Sequence, residues 1–150
     1  MQNKFTDQAR RVLEQAAFAA EVNGHCYIGS EHLLLGLIQV EDCLAGKVLL
    51  NNDVTENKVL NLIYQLIAPD CAVSVKEPAV YTPRVKKILV NAGNEAARFK
   101  ADSIGTEHIL IAMLKETDSV ASRLLNTMGV SVKKIYTCLL YTSPSPRDRG

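Results

Sequence analysis

The heptapeptide Ile28-Gly29-Ser30-Glu31-His32-Leu33-Leu34 returns 76 residues later as Ile104-Gly105-Thr106-Glu107-His108-Ile109-Leu110. The same offset aligns residues 5–60 with residues 81–136 without a gap, and 14 of these 56 positions are identical. Unrelated sequences would share about one position in fifteen at ordinary residue usage. The chain is therefore an internal duplication, and we expect its two copies to share a core.

Each copy shows four segments with the apolar spacing of a helix. In the first segment the apolar positions follow a period of three to four residues, at Ala9, Val12, Leu13, Ala16 and Ala20. Polar residues that favour helix starts precede the first two segments of each copy, at Thr6, Ser30, Thr82 and Thr106. We predict an all-α fold of eight helices, built as a pseudo-twofold tandem duplication of a four-helix repeat.

The predicted repeats occupy residues 1–68 and 81–140. Residues 69–80 contain two prolines and are interpreted as a linker, in which Val73 and Val75 could form a short extended stretch. Residues 141–150 contain two more prolines and no apolar periodicity. We interpret them as a disordered tail, or as an artefact of how the sequence was obtained.

Composition limits the compartment and the partners. The 150 residues are 47% hydrophobic with a net charge of +1, so there is no general electrostatic ground for binding nucleic acid or membrane. The N-terminus lacks the apolar segment of a signal peptide, and no apolar run is long enough to cross a bilayer. The four cysteines form no CxxC pair, so we expect reduced thiols in a cytoplasmic protein.

Catalytic motifs are missing from the sequence. It contains no P-loop, H-E-x-x-H, G-x-S-x-G or G-x-G-x-x-G, so we expect no catalytic residue, no metal and no cofactor in this chain. The repeated pairs Glu31-His32 and Glu107-His108 could act in acid–base chemistry or bind a metal, or their histidines could be satisfied locally. Adjacent helical residues point about 100° apart, so one such pair does not chelate an ion alone.

Two repeated pairs of polar residues are candidate binding residues. Thr6 and Thr82 could simply cap their helices, or could help to form an anion pocket at a helix start. Glu31 and Glu107 could complement the helix dipole, or could hold a cationic group of a partner.

The aromatic residues Phe5 and Tyr81 also match between the copies. Each could pack back on its own helix as a hydrophobic staple. Alternatively the two could form a shared hydrophobic patch, near the pseudo-twofold axis, that binds a partner.

These motifs are familiar as a set. Phe5-Thr6 followed by Ile28-Gly29-Ser30-Glu31-His32-Leu33-Leu34-Leu35-Gly36-Leu37 resembles the first Clp repeat of the ClpC-type AAA+ unfoldases. Tyr81-Thr82-Pro83-Arg84-Val85-Lys86-Lys87 with the second heptapeptide resembles the second Clp repeat. The resemblance covers about residues 4–140, in the family's order and spacing.

The resemblance implies an N-terminal domain that recruits adaptor and substrate proteins to an ATP-driven hexamer, which passes them to the ClpP protease. ATP would belong to the full-length parent and not to this chain. The alternative is a free-standing Clp-repeat adaptor or regulatory module that is not joined to an ATPase. A small enzyme that uses the two Glu-His pairs is a third hypothesis, without a nucleophile nearby.

The resemblance further implies recognition of phosphorylated arginine, with one site in each repeat. Carried onto matching positions, Thr6 with Glu31 and Thr82 with Glu107 would form these sites. Asp7 follows Thr6 and would repel a phosphate, whereas Arg84 lies near Thr82, with Lys86 and Lys87 one turn along. We therefore expect tighter binding at the site that contains Thr82.

Overall fold

The computed structural model describes residues 4–67 and 80–142, which form eight α-helices and four two-residue strands. The first repeat consists of β1 (Lys4–Phe5), α1 (Asp7–Val22), β2 (Tyr27–Ile28), α2 (Ser30–Gln39), α3 (Leu44–Asn51) and α4 (Glu56–Leu66). The second consists of β3 (Val80–Tyr81), α5 (Pro83–Arg98), β4 (Ser103–Ile104), α6 (Thr106–Lys115), α7 (Val120–Thr127) and α8 (Val132–Thr142). The prediction of an all-α fold with four helices in each copy is confirmed.

Two predicted segments fall mainly outside the described residues. The linker, residues 69–80, is described only at Val80, which belongs to β3, so the extended stretch at Val73 and Val75 lies outside. Helix α8 continues to Thr142, so the prediction that the tail begins at residue 141 is wrong by two residues. Residues 143–150 lie outside the described part of the chain.

The caps of the first helix in each repeat are as predicted. The Thr6 hydroxyl accepts a hydrogen bond from the Ala9 backbone N–H at 3.1 Å, and the Thr82 hydroxyl accepts one from Val85 at 3.1 Å. Pro83 is the first residue of α5, where its missing N–H costs nothing because that group has no partner within the helix.

Ser30 and Thr106 do not cap their own helices, which contradicts the sequence prediction. The N-cap of α2 and of α6 is the preceding glycine, and each hydroxyl serves the opposite repeat. The Ser30 hydroxyl accepts the N–H of Ala121 in the first turn of α7 at 2.9 Å. The Thr106 hydroxyl accepts the N–H of Ala45 in the first turn of α3 at 3.3 Å.

Short parallel strands connect the two repeats crosswise. Strand β1 pairs with β4, and β2 pairs with β3, so both pairs join opposite copies. The Thr6 N–H continues the first pair by donating to the Ile104 carbonyl at 2.9 Å, and the Thr82 N–H donates to the Ile28 carbonyl at 3.1 Å. The sequence did not predict these strands, because two residues are too few to show alternation.

Helices α2 and α6 form the centre of the fold. Nine of the ten residues of α2 and eight of the ten of α6 are buried, and both helices are apolar on nearly all sides after their first turn. Helices α1 and α5 pack against α2 and α6 respectively. Within the two described ranges, no helix combines the length and the apolar character needed to span a membrane.

The close approach of α1 and α2 depends on Gly36. A Cβ at this position would lie 2.5 Å from the Val12 carbonyl oxygen and 3.2 Å from the Ala16 nitrogen. Both atoms are backbone, so the two helices would have to separate. At an open helical position, Gly→Ala would stabilise the fold by about 1 kcal/mol through helix propensity.

We predict the opposite sign here: Gly36→Ala should lower the free energy of unfolding by about 1–3 kcal/mol through overpacking. Urea denaturation of the two proteins measures the difference. An unchanged or raised free energy of unfolding would show that α1 and α2 separate at little cost.

Candidate functional site

Crossed strand pairing places the first helix of one repeat beside the second helix of the other. Because β1 and β4 are parallel, α1 and α6 begin side by side, with Thr6 next to Gly105. In the same way α5 and α2 begin side by side, with Thr82 next to Gly29. Each pair of helix starts therefore contains residues from both repeats.

The expected pairing of the candidate residues is corrected by this geometry. Thr6 and Glu107 line one cavity of about 430 Å³, and the register of β2 and β3 relates Thr82 to Glu31 in the same manner. The prediction that Thr6 joins Glu31 and Thr82 joins Glu107 is wrong, because each strand pairs with the opposite repeat. We call the two places the Thr6–Glu107 site and the Thr82–Glu31 site.

The Thr6–Glu107 site combines groups of opposite electrostatic character. Its wall includes the carboxylates of Asp102 and Glu107 and the side chains of Gln8 and Ser103. The first N–H groups of α1 and α6 have no partner within their helices, and the positive ends of two helix dipoles meet here. Such a site can attract an anion to the helix starts and a cation to the carboxylates.

Two glycines make room for the candidate carboxylates. A Cβ on Gly105 would lie 2.4 Å from Glu107 Oε1, and a Cβ on Gly29 would lie 2.4 Å from Glu31 Oε1. The backbone there is extended, with φ near −96° and −98°, which any residue adopts. Each glycine therefore leaves the space that the carboxylate occupies, and each carboxylate folds back over the start of its own helix.

The two carboxylates differ in exposure. Glu31 is 1% exposed, and its Oε2 accepts a hydrogen bond from the Tyr27 hydroxyl at 3.0 Å. Glu107 is only half-buried and faces the cavity that it shares with Thr6. The duplication has thus produced two sites of equivalent backbone geometry and unequal access.

The repeated histidines support their helix starts. The Gly29 N–H donates to His32 Nδ1 at 2.9 Å, and the Gly105 N–H donates to His108 Nδ1 at 2.9 Å. This geometry favours the alternative in which the histidines are satisfied locally. Residues 4–67 and 80–142 contain no group of three or more side chains suited to hold a metal ion.

Two of the charged residues that precede or follow the candidate threonines are paired within their own repeat. Asp7 forms an ion pair with Arg10, and the Arg84 guanidinium donates to Glu116 Oε1 at 2.7 Å. The expectation of tighter binding at the site of Thr82 treats the charges of Asp7, Arg84, Lys86 and Lys87 as uncompensated. Asp7 and Arg84 are compensated within their own repeat, and Lys87 Nζ lies 3.7 Å from Glu116 Oε2, so these three charges give less support to that expectation than the sequence suggests.

Phe5 and Tyr81 lie in different strand pairs. Both are half-buried and pack against the hydrophobic core, and burial raises the pKa of the Tyr81 hydroxyl. Phe5 lies opposite Ile104, and Tyr81 lies opposite Ile28. Packing against the core accounts for their burial, and each retains an exposed part beside one of the two sites.

Sequence analysis missed several residues of the sites. Gln8, Asp102 and Ser103 line the cavity, and Tyr27 holds Glu31, yet none belongs to a recognisable motif. The sequence did contain a sign that the two sites differ. Residues 25–27 and 101–103 directly precede the repeated heptapeptide, and the two copies share no identical residue there.

The fold is that of a duplicated helical repeat domain in which the helix starts at each candidate site come from both copies. The chain belongs to the Clp repeat (R) N-terminal domain family, whose sequence profile matches residues 4–128. The resemblance to Clp repeats found in the sequence is thereby confirmed.

Curated relatives agree with this assignment. The chain is 37% identical over 134 residues to the "Negative regulator of genetic competence ClpC/MecB" of Bacillus subtilis, a match that covers 89% of the chain and 16% of the relative. It is 36% identical over 137 residues to the "Chaperone protein ClpB" of Oceanobacillus iheyensis, covering 89% and 16%. The chain thus spans about one-sixth of the length of these relatives.

Solved structures share the fold at low sequence identity. The N-terminal domain of the chaperone ClpD from Arabidopsis thaliana superposes with a TM-score of 0.79 at 21% identity, covering 92% of this chain and 96% of that one. The ClpV N-domain in complex with a VipB peptide superposes with a TM-score of 0.70 at 19% identity, covering 93% and 89%.

Burial lowers the pKa of His108 below its ordinary value of 6.5, although the nearby Glu107 and Glu95 carboxylates partly oppose this. As the pH falls through that ordinary value, the unfolded chain takes up a proton that the folded chain does not. We predict that this histidine makes the domain less stable between about pH 7 and pH 5, by at most about 1.4 kcal/mol per pH unit.

The pH dependence can be measured by urea denaturation of the wild type and of His108→Asn, whose amide oxygen can still accept the Gly105 N–H. The variant should show the smaller loss of stability on acidification. Parallel curves would mean that His108 titrates alike in the folded and unfolded chains.

Proposed function

We propose that this chain is the N-terminal recruitment domain of a ClpC-type unfoldase. It binds adaptor and substrate proteins, without catalysis of its own, and the parent protein unfolds them with ATP in the cytoplasm for degradation by ClpP. The family match and the 37% identity to the ClpC/MecB protein support this role. The chain spans 16% of that relative, so ATP hydrolysis would lie in another part of the parent.

The observation that carries the proposal is the meeting of two helix starts and a carboxylate in one site. A phosphoarginine side chain carries an anionic phosphate directly beside guanidinium N–H groups. The helix starts suit the phosphate, while Glu107 or Glu31 suits the N–H groups. Plain arginine lacks the anion and phosphoserine lacks the guanidinium, so either would satisfy only half of the site.

A solved structure with the same fold supports the proposed binding of partner proteins. A structure of the ClpV N-domain contains a VipB peptide, so a domain of this fold can hold a segment of another protein. Phe5 and Tyr81 directly precede Thr6 and Thr82. We include their exposed parts in the surface that an adaptor contacts.

We predict that free phosphoarginine binds to the domain and that the double variant Glu31→Gln/Glu107→Gln weakens binding about ten- to a hundredfold, since a charge-assisted hydrogen bond contributes about 1.5–3 kcal/mol. Isothermal titration calorimetry measures the affinities. Glu14→Gln, at an exposed position of α1, is the matched control and should bind like the wild type.

Arginine and phosphoserine are the ligand controls for this titration and should bind much more weakly. Equal binding of arginine and phosphoarginine would contradict recognition of the phosphate. No binding of phosphoarginine at all would contradict this part of the proposed function.

We also predict that Gly105→Ala weakens phosphoarginine binding about tenfold, because the new Cβ displaces the Glu107 carboxylate. The displaced atoms are the far end of a flexible side chain and the backbone is extended, so stability should change by less than about 1 kcal/mol. Calorimetry and thermal unfolding separate the two effects. Unchanged affinity would show that binding does not depend on the position of this carboxylate.

A further inference from the structure

The walls of the two sites differ at the residues before each repeated heptapeptide. At the Thr6–Glu107 site these positions hold the small side chains of Ala101 and Ser103, which line the open cavity. The equivalent positions of the other repeat hold His25 and Tyr27. Large rings thus replace small side chains at the place where a ligand would enter.

Tyr27 covers the Glu31 carboxylate. Its hydroxyl donates to Glu31 Oε2 at 3.0 Å, and its Cε1 lies 3.0 Å from the place where a Cβ on Gly29 would be. The ring and the carboxylate therefore lie together over the start of α2. Glu31 is 1% exposed as a result, whereas Glu107 is half-buried.

The rings of two buried histidines, His25 and His32, pack against the Tyr27 ring. The His25 ring stacks on it at a centroid distance of 5.2 Å and an interplanar angle of 23°, and the His32 ring lies at 5.4 Å. His32 Nδ1 accepts the Gly29 N–H, so the proton of neutral His32 is on Nε2, which lies 2.7 Å from His25 Nδ1. The equivalent of His25 is Ala101, so this support exists in one repeat only.

We propose that Tyr27, supported by His25, closes the Thr82–Glu31 site, so that the domain has one ligand-accessible site, at Thr6 and Glu107. The identity of the ligand rests on the function proposed above, but the closure does not. Binding at Glu31 requires the phenol to turn away and give up its hydrogen bond and its stacking on His25. The Thr6–Glu107 site binds without this step, and it is the tighter of the two.

Closure is tested first without any ligand, by modifying carboxylates with a water-soluble carbodiimide and glycine ethyl ester and locating the label by mass spectrometry. In the wild type, Glu107 should react about tenfold or more faster than Glu31, whose reaction needs local opening. Tyr27→Ser, which copies the other repeat, should bring the rate at Glu31 close to that at Glu107. Tyr27→Phe keeps the ring and should leave Glu31 protected.

Ligand access is tested by titrating free phosphoarginine and following the amide resonances of Gly29 and Gly105, one at each site. In the wild type only the Gly105 signal should shift at low ligand concentration, with a stoichiometry of one. Tyr27→Ser should add a second equivalent that shifts Gly29, and Ser103→Tyr should weaken the response of Gly105. Thermal unfolding of each variant confirms that it is folded.

Several outcomes would overturn the closure. Equal labelling of Glu31 and Glu107 in the wild type would do so, and so would two equivalents of phosphoarginine that shift both glycines alike. If Tyr27→Ser loses its fold, the wild-type labelling rates and Ser103→Tyr still decide. Unequal labelling without any phosphoarginine binding would leave the closure standing and refute the ligand of the proposed function instead.

Discussion

The structure depends on the exchange of backbone hydrogen bonds between the two repeats. Each strand has only two residues, and a single hydrogen bond contributes about 0.5–1.5 kcal/mol, so the pairs add little stability by themselves. Their importance is positional, because they set which helix starts meet. With β1 on β4 and β2 on β3, neither repeat contains a complete site. The hydroxyls of Ser30 and Thr106 extend the exchange by capping helices of the opposite copy.

The central helices α2 and α6 have to bury polar first turns. A buried polar group without a partner costs about 1–3 kcal/mol, so these turns need an internal set of partners. The Gly29 and Gly105 N–H groups obtain them from the histidines three residues later. The same glycines leave space for Glu31 and Glu107 to fold back. The repeated heptapeptide is therefore a structural unit first, and in the second repeat its glutamate, Glu107, also lines a cavity.

Sequence reasoning recovered the fold and most of the local signals. The 76-residue offset predicted two similar halves, and apolar spacing predicted their eight helices, since both signals extend over many residues. Thr6 and Thr82 were correctly identified as caps because capping is a local interaction. The partners of Thr6 and Glu31 were assigned wrongly, because a strand of two residues leaves no pattern and the contact spans the two repeats. Nothing local in the sequence distinguishes pairing within a repeat from pairing between repeats.

Duplication also explains how two equivalent places can come to differ in exposure. The backbone geometry of each site is secured by the strand pair and by the glycine-histidine hydrogen bond, and neither requires a particular residue at position 27 or 103. The two strand pairs have the same register with Tyr27 at one position and Ser103 at the other. The Tyr27 hydroxyl donates a hydrogen bond to the Glu31 carboxylate, which offsets the free-energy cost of burying that carboxylate. Ser103 has no ring that could cover the cavity, so Glu107 stays half-buried, and a ligand at this site would not have to displace a tyrosine.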